Sequence, residues 1–178
     1  MAGVFDPDDC PSCSGDALPP HPIFDLCKFK RFDEALDICR REIAQNPGDT
    51  EGYRHMAIVL DSMGRRREAL SYRDKVIELA PDRTENYYSR ADLLYEIGDY
   101  AAAIDDFTRA AELDHGQFMG PGNYLYRADC HRRLGNYAQA IADCARVPDD
   151  FDFPGFLGHW EGTKHHLLAA IEREQRKS

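Results

Sequence analysis

Cys10-Pro11-Ser12-Cys13, followed by His21 and Cys27, is the set of side chains in this chain best suited to chemistry. Two thiols two residues apart, with imidazole and thiol donors downstream, have the order of a small zinc knuckle, because zinc takes four sulfur or nitrogen ligands in a tetrahedron. A second Cys-x-x-Cys is missing, and Pro11, Pro19, Pro20 and Pro22 break the chain around the donors. The segment therefore reads as an irregular tail with incidental thiols; a zinc- or thiol-dependent regulator is the alternative. Cys39 and Cys144 fall on apolar stripes and are expected in the core, as is Cys130 beside His131.

Other candidate groups carry less. His159, His165 and His166 gather near Trp160 and Glu161, but neighbours on a helix point in different directions, so surface histidines are expected. Asp105-Asp106 and Asp149-Asp150 have no nucleophile or base at a useful spacing and read as solvated charge. There is no glycine-rich phosphate loop, nucleophile elbow or H-E-x-x-H helix. The sequence thus assigns no catalytic residue, no metal site and no cofactor, and the expectation is a protein that is not an enzyme.

Composition narrows the partners. The 178 residues suit one ordinary domain with a continuous core. A formal charge of −10 disfavours nucleic acid, which needs a clustered basic face, and Arg65-Arg66-Arg67 alone reads as a solvated turn. No apolar run suits a membrane span, and the amino terminus lacks the basic start and apolar stretch of a secretory signal. Reduced thiols in a cytoplasmic protein follow as the expectation.

The elements that must position these residues are set by a recurrence. Gly64-Arg65-Arg66-Arg67-Glu68-Ala69-Leu70 returns as Gly98-Asp99-Tyr100-Ala101-Ala102-Ala103-Ile104 and again as Gly135-Asn136-Tyr137-Ala138-Gln139-Ala140-Ile141. An earlier copy, Lys30-Arg31-Phe32-Asp33-Glu34-Ala35-Leu36, lacks only the glycine. A period near 34 is the mark of stacked helical hairpins. Residues 1–22 hold five of the ten prolines and no Lys or Arg, and are expected to be irregular. Residues 23–155 form the array: a half repeat over 23–47, missing a normal first helix, then full repeats over about 50–83, 84–120 and 121–154. Residues 156–178 supply a final helix, from near Leu157 to Gln175, that caps the stack.

Within each hairpin an aromatic and a small residue on the first helix face a small residue on the second. Tyr53, Ala57, Gly64, Ala69 and Pro81 form one copy; Tyr87, Ala91, Gly98, Tyr100, Ala103, Phe107 and Ala110 the next; Tyr124, Ala128, Gly135, Tyr137 and Ala140 the third. Ile141, Cys144, Leu94 and Arg90 complete the inward stripes. These residues resemble the tetratricopeptide repeat family over about residues 30–147. The resemblance implies an all-α, right-handed superhelical stack of antiparallel hairpins, whose first helices line a concave groove that holds a protein or peptide partner.

By position in the repeat, Arg54, His55, Tyr88, Asp92, Tyr95, Tyr126, Asp129 and Arg132 are the groove residues the resemblance implies, with Leu125 and Arg133 beside them. Tyr88 and Tyr126 are expected to stand outside the core, so that truncating either ring would weaken binding and barely move the thermal midpoint. The Lys/Asn clamp of repeats that grip acidic chaperone tails is missing: its places hold Arg54, Ile58, Ser89, Gly122 and Tyr126. A secretion-type chaperone is a specific form of the same interaction role.

Overall fold

In the computed structural model, residues 21–114, 120–151 and 164–177 are described. Among them the chain forms only helices: α1 (Pro22–Lys28), α2 (Phe32–Gln45), α3 (Glu51–Ser62), α4 (Arg66–Leu79), α5 (Thr84–Glu96), α6 (Tyr100–Leu113), α7 (Gly122–Arg133), α8 (Tyr137–Cys144) and α9 (Lys164–Gln175). Each packs on its neighbours in sequence, with α1 also touching α3 and α9 touching α7. The result is an all-α stack of hairpins. Two buried clusters, one from Ile23 to Leu93 and one from Tyr88 to Ile171, meet at Leu70 and form the core.

The turns explain the period. Gly64, Gly98 and Gly135 take left-handed φ values of 76°, 83° and 75°, which a residue without Cβ adopts freely. After each, an amide closes the helix end: Arg65 to Leu60, Asp99 to Leu94 and Asn136 to His131. Lys30 occupies the same place with φ of 57°, and Arg31 donates to Leu26 O at 2.8 Å. The first unit therefore turns like the others. Its first helix, expected to be no more than a short turn over residues 23–29, is seven residues long. Pro22 does not break it, because proline at the first turn forfeits no helical hydrogen bond.

Position within the repeat also fixes recurring contacts. Tyr53 Oη donates to Pro47 O at 3.1 Å, and Tyr87 Oη donates to Pro81 O at 3.0 Å, tying each first helix to the turn before it. Arg90 grips Asp106 through two 2.7 Å hydrogen bonds; Arg127 grips Asp143 in the same way one repeat later. Asp106 is thus a buried ion-pair partner and not solvated charge. Ile141, expected inward, is 41% exposed, because α8 turns Ala140 and Cys144 to the core instead. α9 covers α7 and α8 through Leu167 and Ile171; its expected start near Leu157 lies outside the described residues.

Cys39, Cys130 and Cys144 are fully buried. Burial pushes the Cys39 and Cys130 thiols up to about 12 and Cys144 up to about 11, so none forms a thiolate near neutral pH. His165 and His166 are exposed on α9. Cys10, Cys13, His159, Trp160 and Glu161 lie outside the described residues.

Candidate functional site

The first helices α3, α5 and α7 meet one another across repeats along one shared face, which we call the inner face. Helical spacing puts Tyr88, Asp92 and Tyr95 on adjoining turns of α5, and Tyr126, Asp129 and Arg132 on adjoining turns of α7. Three of these side chains, Tyr88, Tyr95 and Tyr126, are far more buried than the sequence suggested, at 5%, 6% and 6% exposure. Tyr88 and Tyr126 sit edge-to-face at 5.7 Å, and Tyr126 stacks on Phe107 of α6 at 5.4 Å. The rings are core. The reason is that Phe107 of α6 lies against both rings, so the aromatic side chains that meet across the repeat boundary cover one another. Leu125 is buried by the same packing. Burial raises both hydroxyls, Tyr126 to about 12.

A second cluster lies one turn further along. Tyr95 Oη donates to a carboxylate oxygen of Asp129, and the same carboxylate accepts from Arg132 Nε at 2.8 Å and Arg133 Nε at 2.9 Å. Burial alone would raise the Asp129 carboxyl; the Tyr95 hydroxyl and the two guanidiniums outweigh it and hold the group below its usual range. Arg132 continues to Glu174 of α9, and Arg133 lies over the Tyr95 and Tyr100 rings at 5.1 and 5.3 Å. Arg54 donates to Asn86 Oδ1 at 2.8 Å, joining α3 to α5.

His55 does not belong to this face. It is buried at 7% exposure and turned toward α2, where Nδ1 meets Glu42 Oε2 at 2.8 Å. The expected groove residues are therefore distributed as Tyr88, Asp92 and Tyr126 in one cluster, Tyr95, Asp129 and Arg132 in another, Arg54 at the α3–α5 seam, and His55 elsewhere. Sequence reasoning missed Arg73. It stands on α4 in the place where α6 carries Phe107, and its guanidinium lies among Arg54, Asp61 and Asp92 of the first helices. Burial pulls its pKa below the ordinary guanidinium value, with Asp61 and Asp92 opposing, and its Nε–H has no hydrogen-bond partner. A charged residue at a core position that holds Cys39, Phe107 and Cys144 in the other units was the available signal.

Among the described residues no helix is long and apolar enough to cross a membrane. Two family models described as tetratricopeptide repeat match residues 56–118 and 123–152, together just over half of the chain. No curated protein sequence matches. The solved structures similar to this fold include MamA, with a TM-score of 0.70 at 17% identity over 89% of this chain and 87% of that one. MamA from Desulfovibrio magneticus RS-1 matches with a TM-score of 0.70 and 17% identity, over 87% and 82% of the two chains. A thermophilic tetratricopeptide protein of Thermus thermophilus matches at 0.56 and 15%, over 86% and 78%. At these identities the likeness is one of fold. With the repeated glycine turns, the recurring Arg–Asp pairs and the two family matches in register, the chain belongs to the tetratricopeptide repeat family.

Proposed function

We propose that this protein is a non-enzymatic interaction module that holds an extended peptide or a partner helix against the inner face of α3, α5 and α7. The observation that carries the reading is Arg73. A buried guanidinium N–H without an acceptor costs stability, and such groups are rare unless something outside the chain completes them. Arg54 stands beside it, and the buried Tyr88–Tyr126 pair holds α5 and α7 rigid, so that little ordering entropy remains to be lost on binding. An acidic group on a partner would complete Arg73 beside Arg54. The fine placement of Arg54, Asp92, Tyr95, Asp129 and Arg132 suits electrostatic selection of that partner more than bulk contact area.

The test is to separate binding from folding. Arg73→Met replaces a buried charge by an apolar side chain of similar length, which leaves the thermal midpoint unchanged or raised. Partners recovered with the native chain should be lost from this variant. A photo-crosslinking side chain at Asp92 should capture the same partners, whereas one at the exposed Glu112 of α6 should not. Undiminished recovery by Arg73→Met, with crosslinks from Glu112 alone, would place the contact on the opposite surface.

A further inference from the structure

At the amino-terminal end of the stack, three elements bring metal-ligand atoms to one point. His21 precedes α1, Glu42 lies on α2 and His55 on α3. His21 Nε2 is 2.8 Å from Glu42 Oε1, and His55 Nδ1 is 2.8 Å from Glu42 Oε2. One donor atom from each of the three residues lies within 4.8 Å of the other two. The two imidazoles stack with centroids 4.1 Å apart. They border a cleft of about 210 Å³ whose other walls are Gln45, Asn46, Asp49, Glu51 and Gly52. No lysine or arginine lines it.

We propose that His21, Glu42 and His55 form a site for a divalent transition metal of the zinc class, which fastens α1 to the α2–α3 hairpin. Two imidazoles and one carboxylate are a donor set that zinc accepts, with a fourth position left for water. Bonds of about 2.0–2.1 Å to a tetrahedral ion set donors roughly 3.3 Å apart. The two imidazole–carboxylate contacts of 2.8 Å would open slightly and no donor pair would have to close from more than 4.8 Å.

Proton bookkeeping favours a cation here. His55 has carboxylates on both sides: Glu42 at Nδ1 and Glu51 Oε2 at 3.5 Å from Nε2. A neutral imidazole carries one N–H, so one nitrogen must face a carboxylate with its lone pair bare. If Nε2–H is directed to Glu51, bare Nδ1 faces Glu42, and a metal between them turns a repulsion into two bonds. Glu51 then acts as the outer carboxylate that orients a metal-bound histidine. His21 Nδ1 is shielded from solvent and has no hydrogen-bond partner, while its Nε2 faces Glu42. With neutral rings the cleft holds Glu42, Glu51 and Asp49 and no fixed positive charge. One divalent ion between the stacked rings would be balanced by these carboxylates.

The site differs from the cysteine-based one that the sequence offered. Cys27 is not part of the cluster. The experiment uses the full chain, stripped with a chelator and titrated at neutral pH with Zn²⁺ and separately with Co²⁺. The expected result is one equivalent of Zn²⁺, a raised thermal midpoint, and a Co²⁺ spectrum without thiolate charge-transfer bands. His21→Gln, at the edge of the fold, and Glu42→Gln should each weaken Zn²⁺ by at least about 100-fold, the upper end of what losing an outer-shell group costs. A Cys10→Ser/Cys13→Ser double variant should bind as the native chain does. Absence of stoichiometric Zn²⁺ from the native chain overturns the proposal. So does retention of Zn²⁺ by a folded His21→Gln chain, or its loss from the cysteine variant whatever His21→Gln does.

Discussion

Tyr95 of α5 and Asp129 of α7, one repeat apart in sequence, are joined by a buried hydrogen bond in which the phenol donates to the carboxylate. The bond couples two repeats through a group that also balances Arg132 and Arg133. Asp129→Asn keeps the shape but removes the charge, leaving two guanidiniums facing an amide. The expected loss is about 2–3 kcal/mol, discounted from a fully buried ion pair because Arg133 is about a third exposed. Urea unfolding of the two chains measures it.

The same residue sets a pH dependence. Its folded pKa is depressed, so its contribution is fully present above the ordinary carboxylate range near about 4 and is lost as pH falls through the lower folded value. Thermal midpoints recorded from pH 7 to 3 should fall more steeply for the native chain than for Asp129→Asn. Parallel curves would show that other carboxylates carry the acid response.

Tyr88→Ala and Tyr126→Ala should each destabilise by about 3–4 kcal/mol, because the rings belong to a packed aromatic cluster with Phe107. This reverses the expectation drawn from the sequence. Tyr88→Phe should cost no more than about 1.5 kcal/mol, since it removes only the hydroxyl and keeps the packing. Chemical denaturation of the three variants tests the ordering, and a Tyr88→Ala midpoint equal to the native one would return the ring to the surface.

The contrast shows what was legible. Repeat spacing, Ala57, Ala91 and Ala128 at helix crossings, and the glycine turns are local patterns, and the fold followed from them. Depth was not local. Whether Tyr88 is a groove wall or core depends on its contacts with Phe107 of α6 and Tyr126 of α7, which no window of one helix reveals. Asp106 looked like its exposed neighbour Asp105 for the same reason. Yet Arg90 with Asp106 and Arg127 with Asp143 share one spacing, a recurrence that would have exposed the pair. Arg73 was hidden by lying on a stripe that is apolar in the other units, where Cys39, Phe107 and Cys144 stand, and Glu42 by having no motif around it.

Lys30 carries a residue with Cβ in a left-handed turn that its three counterparts assign to glycine. That conformation costs roughly 1–2 kcal/mol for an L-residue, and glycine returns part of the gain through the freer unfolded chain. Lys30→Gly should therefore stabilise by about 0.5–1 kcal/mol and raise the thermal midpoint by about 1–4 °C. A lower midpoint would mean that the lysine side chain holds the turn by a contact worth more than its strain.

Gly52 in α3 offers the opposite case. Replacing glycine by alanine inside a helix ordinarily gains about 0.5–1 kcal/mol. Here an added Cβ would lie 2.9 Å from both the backbone N and the Cγ1 of Ile43, and 3.1 Å from Glu42 Cβ. A backbone atom cannot rotate away, so α2 and α3 must separate, and overpacking of this kind costs about 1–3 kcal/mol. The steric term exceeds the propensity term, and Gly52→Ala should lower stability, as measured by denaturant midpoint. Because the displaced wall is the one carrying Glu42, the same variant should also weaken any Zn²⁺ bound by His21, Glu42 and His55. Gain of stability in this variant would show that the two helices separate at no cost, and that the close approach at Gly52 does not hold the first full hairpin in register.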